Sequence, residues 1–135
     1  EEVGNRPVIQ LSIRGEDDIG AIFEHLNDGV LSVVSTDHCV YRRKLKEGVP
    51  WMGYEPAGNA LKTSLSVSHN EAVNRRGHDP SLVVEVMCSN PARTFGMPDK
   101  GTLEPGTDAD IVVFDLEQSH TVTAADNVGA ADYTI

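Results

Sequence analysis

Val30-Leu31-Ser32-Val33-Val34-Ser35-Thr36-Asp37-His38-Cys39 is the stretch on which the fold reading turns. Val30 to Val34 is an apolar run of strand length, and it passes straight into a polar Ser-Thr-Asp-His-Cys end. Just before it, Ile19, Ile22, Phe23 and Leu26 recur at spacings of three and four. That is the buried stripe of a helix over 16–28, with Glu16, Asp17 and Asp18 in its first turn, where the dipole favours carboxylates. Gly29 closes the helix. A helix, a glycine turn and a strand ending in polar groups make an α/β unit, and in such units chemistry collects at the carboxyl ends of strands.

Working outward, residues 8–13 read as a short strand or entry segment. Residues 41–60 read as one long loop with a basic cluster, Arg42, Arg43, Lys44 and Lys46, and with Pro50 and Pro56. Loops longer than about 12 residues are uncommon and often functional. The basic cluster has no interleaved aromatics and reads as a solvated loop or a subunit contact. A helix is expected over 61–76, closed by Gly77, with Leu61, Leu65, Ala72 and Val73 inward. Asp79-Pro80 is a cap followed by proline at the first helical position, and Leu82, Val83, Val86 and Met87 form the next buried stripe. Asn90-Pro91 repeats that start for a short helix ending at Gly96.

From Lys100 the pattern changes. Pro105-Gly106 marks a turn, Ile111 to Phe114 is a fully apolar strand, and Thr121 to Thr123 reads as another. A domain boundary is placed near residue 99, giving 1–99 and 100–135. A tail of 36 residues with about two strands does not bury both faces alone, so it leans on the first part or on further chain.

The 135 residues suffice for one hydrophobic core, but a complete eight-stranded barrel takes roughly 250. Eleven Lys and Arg against 21 Asp and Glu give a net charge of -10, which opposes nucleic acid. Cys39 and Cys88 form no CxxC pair. A reduced, cytoplasmic chain is the plain reading, with a single disulfide left open. No apolar run approaches the roughly 18 residues that cross a bilayer, and no membrane partner is expected. Glu1 and Ile135 both stand in ordinary sequence context, compatible with cuts in a longer polypeptide.

Three blocks carry a resemblance. Ser35-Thr36-Asp37-His38-Cys39 after its apolar run resembles the end of the last barrel strand of dihydropyrimidinases and hydantoinases. Ser89-Asn90-Pro91-Ala92-Arg93-Thr94-Phe95-Gly96 is similar to the helix that closes that barrel. The stretch from Lys100-Gly101-Thr102 through Gly106-Thr107-Asp108-Ala109-Asp110 to Ile111-Val112-Val113-Phe114-Asp115 resembles the return of the cyclic amidohydrolases into their small β domain. The resemblance covers about residues 16–135, and its blocks keep the family's order.

It implies the C-terminal part of a TIM-like (β/α)8 barrel followed by part of a small β domain. It also implies a small cyclic amide as substrate, a homo-oligomer in full-length form, and a divalent metal centre, usually two zinc ions. Of the family's metal ligands only the aspartate matches a position here, Asp37, which in the family is both ligand and catalytic proton carrier. The remaining ligands would lie upstream of residue 1.

That role agrees with the chemistry. An amide nitrogen leaves poorly unless protonated, and a carboxylate beside the nucleophile orients water and shuttles its proton. Asp37 does not hold a metal alone, because a catalytic zinc site takes about three protein ligands. The family's Pro-Asn-Gly substrate loop is not matched: Glu55-Pro56-Ala57 stands opposite it, and Lys62 and Ser64 fall where a Glu and an Arg belong. Gly58 and Asn59 are taken as a shifted version of that loop.

Blander readings stand beside these. Asp37 also fits a cap or loop residue. His38 either reaches the site or hydrogen-bonds within its loop, the latter being preferred. Cys39 reads as buried and inert, His25 as structural or exposed. His69, His78 and His120 lack HxH or HExxH spacing. The leading function is hydrolysis of a cyclic amide C–N bond by a full-length parent, with the 135 residues alone inactive. The alternative is a non-catalytic relative that uses the fold as a scaffold for assembly.

Overall fold

The computed structural model describes residues 9, 13–47, 50, 53, 56 and 58–133. Their regular structure is helical. Helix α1 spans Glu16–Asn27. Helix α2, Ser64–His69, runs on into a π-helical turn at Asn70–Asn74. Helix α3, Pro80–Val84, continues through a second π turn, Glu85–Ser89, into α4, Asn90–Thr94. Single 3₁₀ turns lie at Arg43–Leu45 and Ala124–Asp126.

Among the described residues there is no β-strand, only one isolated antiparallel bridge between Cys39 and Gly58. The expected barrel segment and partial β domain are therefore corrected: these residues form neither a sheet nor a TIM barrel. The reason is pairing. A strand exists through a ladder with a neighbour, and the apolar runs find no such neighbour here. In the 30–34 run, Leu31 donates to the His25 carbonyl at 2.9 Å and Val34 to the Val86 carbonyl at 3.0 Å, both acceptors being helical. Ile111, Val112 and Val113 lie 63, 73 and 94% exposed, with no partner strand among the described residues. Thr123 caps a 3₁₀ turn instead of extending a strand: its amide and hydroxyl both donate to Asp126 at 2.8 Å. The segment expected as a strand over 8–13 lies outside the described residues apart from Ile9 and Ile13.

The chain divides into two compact units. The helical unit comprises 14–35 and 65–118. Its core gathers Leu26 of α1, Ala72 of the first π turn, Leu82 and Val83 of α3, and Val86 of the second π turn. Phe23, Val34, Leu65, Val73 and Met87 pack against them. The expected stripes thus meet, except that Ile22 stays 43% exposed and Leu61 lies ahead of the helix, 53% exposed. Polar ties reinforce the packing. Arg75 and Arg76 both reach Glu71 and the Glu16 carboxylate at the start of α1, and the Arg76 guanidinium lies 4.9 Å from the Phe23 ring centroid.

Helix boundaries follow local chemistry. Asp79 caps α3 by accepting the Ser81 amide at 2.8 Å, with Pro80 next in line. Asn90 does not repeat this. Ser89 and Asn90 keep right-handed helical angles, so the chain never leaves the helix. A proline inside a helix removes one bond and crowds the carbonyl four residues back. The wider π turn falls immediately before Pro91, where that crowding is relieved. Gly101, at φ 77°, is where the chain doubles back closely onto this helix: a Cβ there would stand 2.7 Å from the Cys88 carbonyl oxygen and 2.8 Å from the Ala92 Cβ.

The second unit contains the described residues of 36–64 and 119–133, with Ile9 and Ile13. The basic cluster is not simply a solvated loop. Arg43 pairs with Glu47 at 2.6 Å, its amide donates to Asp132 at 2.7 Å, and Lys46 is fully buried with its ammonium 5.5 Å from the Tyr133 ring centroid. Burial pulls the Lys46 ammonium below the usual lysine range.

Candidate functional site

Asp37 follows the apolar run and takes φ 43°, which no other non-glycine residue among those described does on the positive side. Aspartate tolerates the left-handed region better than most side chains, because its short polar arm hydrogen-bonds locally. Here that arm is unused: among the described residues no group donates to the Asp37 carboxylate, which lies exposed. The backbone reversal thus presents an exposed carboxylate.

The residues on its far side are held tightly. His38 turns its Nδ1 to the backbone amides of Ala60 and Leu61, each at 3.2 Å. An Nδ1 that accepts leaves the ring proton of the neutral imidazole on Nε2. The Cys39 amide donates to the Gly58 carbonyl at 3.2 Å. Together these contacts clip 38–39 to 58–61, and so bring Asp37 and the Gly58-Asn59 pair into one neighbourhood. A Cβ at Gly58 would lie 3.3 Å from Ile9 Cγ2, so the chain passes close there too. His38 thus bonds to amides 22 and 23 residues along the chain. Cys39, expected buried, is exposed, and both cysteines are free thiols. Glu55 and Ala57, aligned with the Pro-Asn-Gly loop, lie outside the described residues.

Other imidazoles go elsewhere. His69 is buried and sits edge-on to Phe114 at 5.3 Å between ring centroids. The Nε2 atoms of His69 and His78 have no hydrogen-bond partner among the described residues. His120 places Nε2 3.1 Å from Asp126. Consequently no group of three or more His, Cys, Asp or Glu side chains able to hold a metal ion forms among the described residues. The zinc-binding, metal-binding character expected from the resemblance is corrected on this finding. Asp37 offers one carboxylate, and the side chains that would complete a site are not gathered around it.

Sequence reasoning passed over Asp126 and Asn127. Asp126 accepts from the Thr123 amide and hydroxyl, from His120, and from Lys62 at 3.3 Å. The Thr123 bonds are the largest cause holding its carboxyl well below the usual range, with His120 and Lys62 adding to them. Asn127 accepts from the Asn59 side chain and donates to the Tyr133 carbonyl. The Thr123-x-x-Asp126 spacing of a capping box was the available signal.

The profile of the amidohydrolase family matches residues 12–134. The chain belongs to the amidohydrolase family. Within it, this amidohydrolase chain falls in the dihydroorotase and hydantoinase branch. It is 37% identical over 116 residues to a dihydroorotase of Pelotomaculum thermopropionicum, covering 84% of the chain and 26% of the relative. It is 36% identical over 108 residues to an L-hydantoinase of Paenarthrobacter aurescens, covering 77% and 23%. A solved D-hydantoinase (dihydropyrimidinase) from Thermus sp. superposes with a TM-score of 0.85 at 24% identity, over 93% of this chain and 28% of that one. The chain path is therefore that of the hydantoinase stretch, although no ladder forms along it among the described residues. The amidohydrolase chain spans about a quarter of the length of these relatives. Among the described residues no helix is long and apolar enough to cross a membrane.

Proposed function

We propose that this amidohydrolase chain is part of an enzyme that hydrolyses a C–N bond of a cyclic amide of the hydantoin or dihydropyrimidine type. In this reading Asp37 is its catalytic carboxylate, and Gly58 and Asn59 line the substrate loop. One observation carries the reading: the exposed Asp37 carboxylate, with no partner among the described residues, stands on a left-handed backbone beside a loop that His38 and Cys39 clip in place. A carboxylate accepts a proton from the water that attacks the ring carbonyl and returns it to the ring nitrogen as the C–N bond breaks. The nitrogen so leaves as the NH2 of a ureido group, and the carbonyl carbon becomes a carboxylic acid. His38 holds the loop through its amides, so the carboxylate and the ring-binding backbone keep one relative pose.

A divalent metal belongs to this reading only for the longer parent. The described residues do not fit one by themselves, and no step here passes through it. In this reading the 135 residues alone are inactive, and the change of pattern near residue 99 marks a boundary between domains of the parent. The substrate class draws support from the hydantoinase and dihydroorotase names of the relatives.

The test is steady-state kinetics of the full-length parent on hydantoin, dihydrouracil and dihydroorotate. Asp37→Asn is expected to lower kcat by about 10²- to 10⁴-fold with KM little changed. A parent carrying Asp37→Asn with wild-type kcat would remove Asp37 from the mechanism. The non-catalytic alternative draws on a different observation, the exposed apolar run at Ile111, Val112 and Val113, which offers a surface for assembly. A parent that turns over none of the three rings would favour it.

A further inference from the structure

Four consecutive residues of the loop, 59–62, are each tied down, the inner two from one direction and the outer two from another. The amides of Ala60 and Leu61 go to His38, next to Asp37. The side chains on either flank, Asn59 and Lys62, go instead to Asn127 and Asp126. We propose that residues 120–127 are a positioning strap for this loop, with Asp126 and Asn127 setting its pose beside Asp37 and thereby selecting among ring substrates.

The chemistry of the strap fits that role. Asp126 spends one carboxylate oxygen on the Thr123 amide and hydroxyl, at 2.8 Å each, which fixes its own orientation. The other oxygen is left for His120 at 3.1 Å and Lys62 at 3.3 Å. Asn127 uses both ends of its amide: the nitrogen donates to the Tyr133 carbonyl and the oxygen accepts from Asn59. Each side chain is thus anchored in the C-terminal segment before it reaches the loop, so neither adjusts freely if the loop moves. Gly129, at φ 85°, continues the same segment past Val40, where a Cβ would lie 2.9 Å from Val40 Cγ2. Asp126 and Asn127 act through Asn59 and Lys62, so they are positioning residues. The inference rests on the reading of Gly58 and Asn59 as the substrate loop.

The experiment uses the full-length parent with Asp126→Ala, Asn127→Ala and Gly129→Ala, plus the conservative Asp126→Asn. Amide hydrogen exchange is followed for a peptide spanning 58–62 and for a control peptide within 80–94. Michaelis parameters are measured on hydantoin, a 5-substituted hydantoin and dihydrouracil. The expected result is faster exchange at 58–62 with the control peptide unchanged. KM is expected to rise by about tenfold for some rings and not others, at nearly constant kcat, with partial rescue by Asp126→Asn. Unchanged exchange at 58–62 in the folded alanine variants overturns the strap itself. Faster exchange with the same KM ratio among rings overturns its part in selectivity. A wild-type parent that turns over no ring overturns the functional reading and the selectivity claim with it, while the exchange result still decides whether the strap holds the loop.

Discussion

At the scale of the residue, Asp37 and Glu71 show opposite uses of a carboxylate. Asp37 has no partner among the described residues and stands on a left-handed backbone, whereas the Glu71 carboxylate accepts two bonds from Arg75, at 2.8 and 3.0 Å, and one from Arg76. Burial pushes the Glu71 carboxyl upward, but the two guanidinium groups outweigh it and hold the carboxyl below its ordinary range. A lowered folded value means that the stabilisation is complete above the unfolded value, about 4.3. It is lost as the pH falls through the lower, folded value. Glu71→Gln is therefore expected to melt below the wild type at neutral pH, with the gap closing as the pH is taken under about 4. Circular-dichroism melts across that range check it, and a gap independent of pH would count against the assignment. Asp37 was legible because a polar end on an apolar run is a local pattern. The ties of Asp126 and Asn127 to the loop were not, because Lys62 and Asn59 lie 64 and 68 residues away.

Among the elements, the continuous helical stretch from Pro80 to Thr94 carries most of the inward side chains. Leu82 is 6% exposed and Val113 is 94% exposed. Leu82→Ala is expected to destabilise by about 2–5 kcal/mol, through lost transfer energy and the cavity left behind. Val113→Ala is expected to stay within about 0.5 kcal/mol, as at an exposed site. Urea denaturation of the two variants separates these outcomes, and similar losses would mean that Val113 is buried in solution. The Leu82, Val83, Val86 and Met87 spacing announced this face correctly, since helical period and burial coincide there. The second Asn-Pro pair misled. A cap needs the chain to arrive in an extended conformation, and here it arrives already helical. The strands misled for a related reason: apolar runs of strand length declare a preference, but their hydrogen bonds need a partner.

For the whole molecule, large apolar side chains remain outside: Phe95 at 71%, Leu103 at 76%, Ile111 at 63%, Val112 at 73% and Leu116 at 60% exposed. Exposed apolar area on this scale drives association. The 135-residue chain by itself is expected to associate with rising concentration in sedimentation velocity, and Ile111→Lys with Val113→Lys to weaken that association. A chain that stays monomeric at every concentration would refute it. The amidohydrolase kinship, the helical stripes, the glycine stops and the candidacy of Asp37 were all legible in the amino-acid order. All of these are encoded in contiguous residues, where period, capping and turn chemistry act over a few positions. It took the folded chain to show that no ladder forms among the described residues, that no metal-holding cluster is assembled there, and that the 59–62 loop is tied from two directions. Each of those depends on which distant groups come within hydrogen-bonding reach, and that is a property of the folded chain.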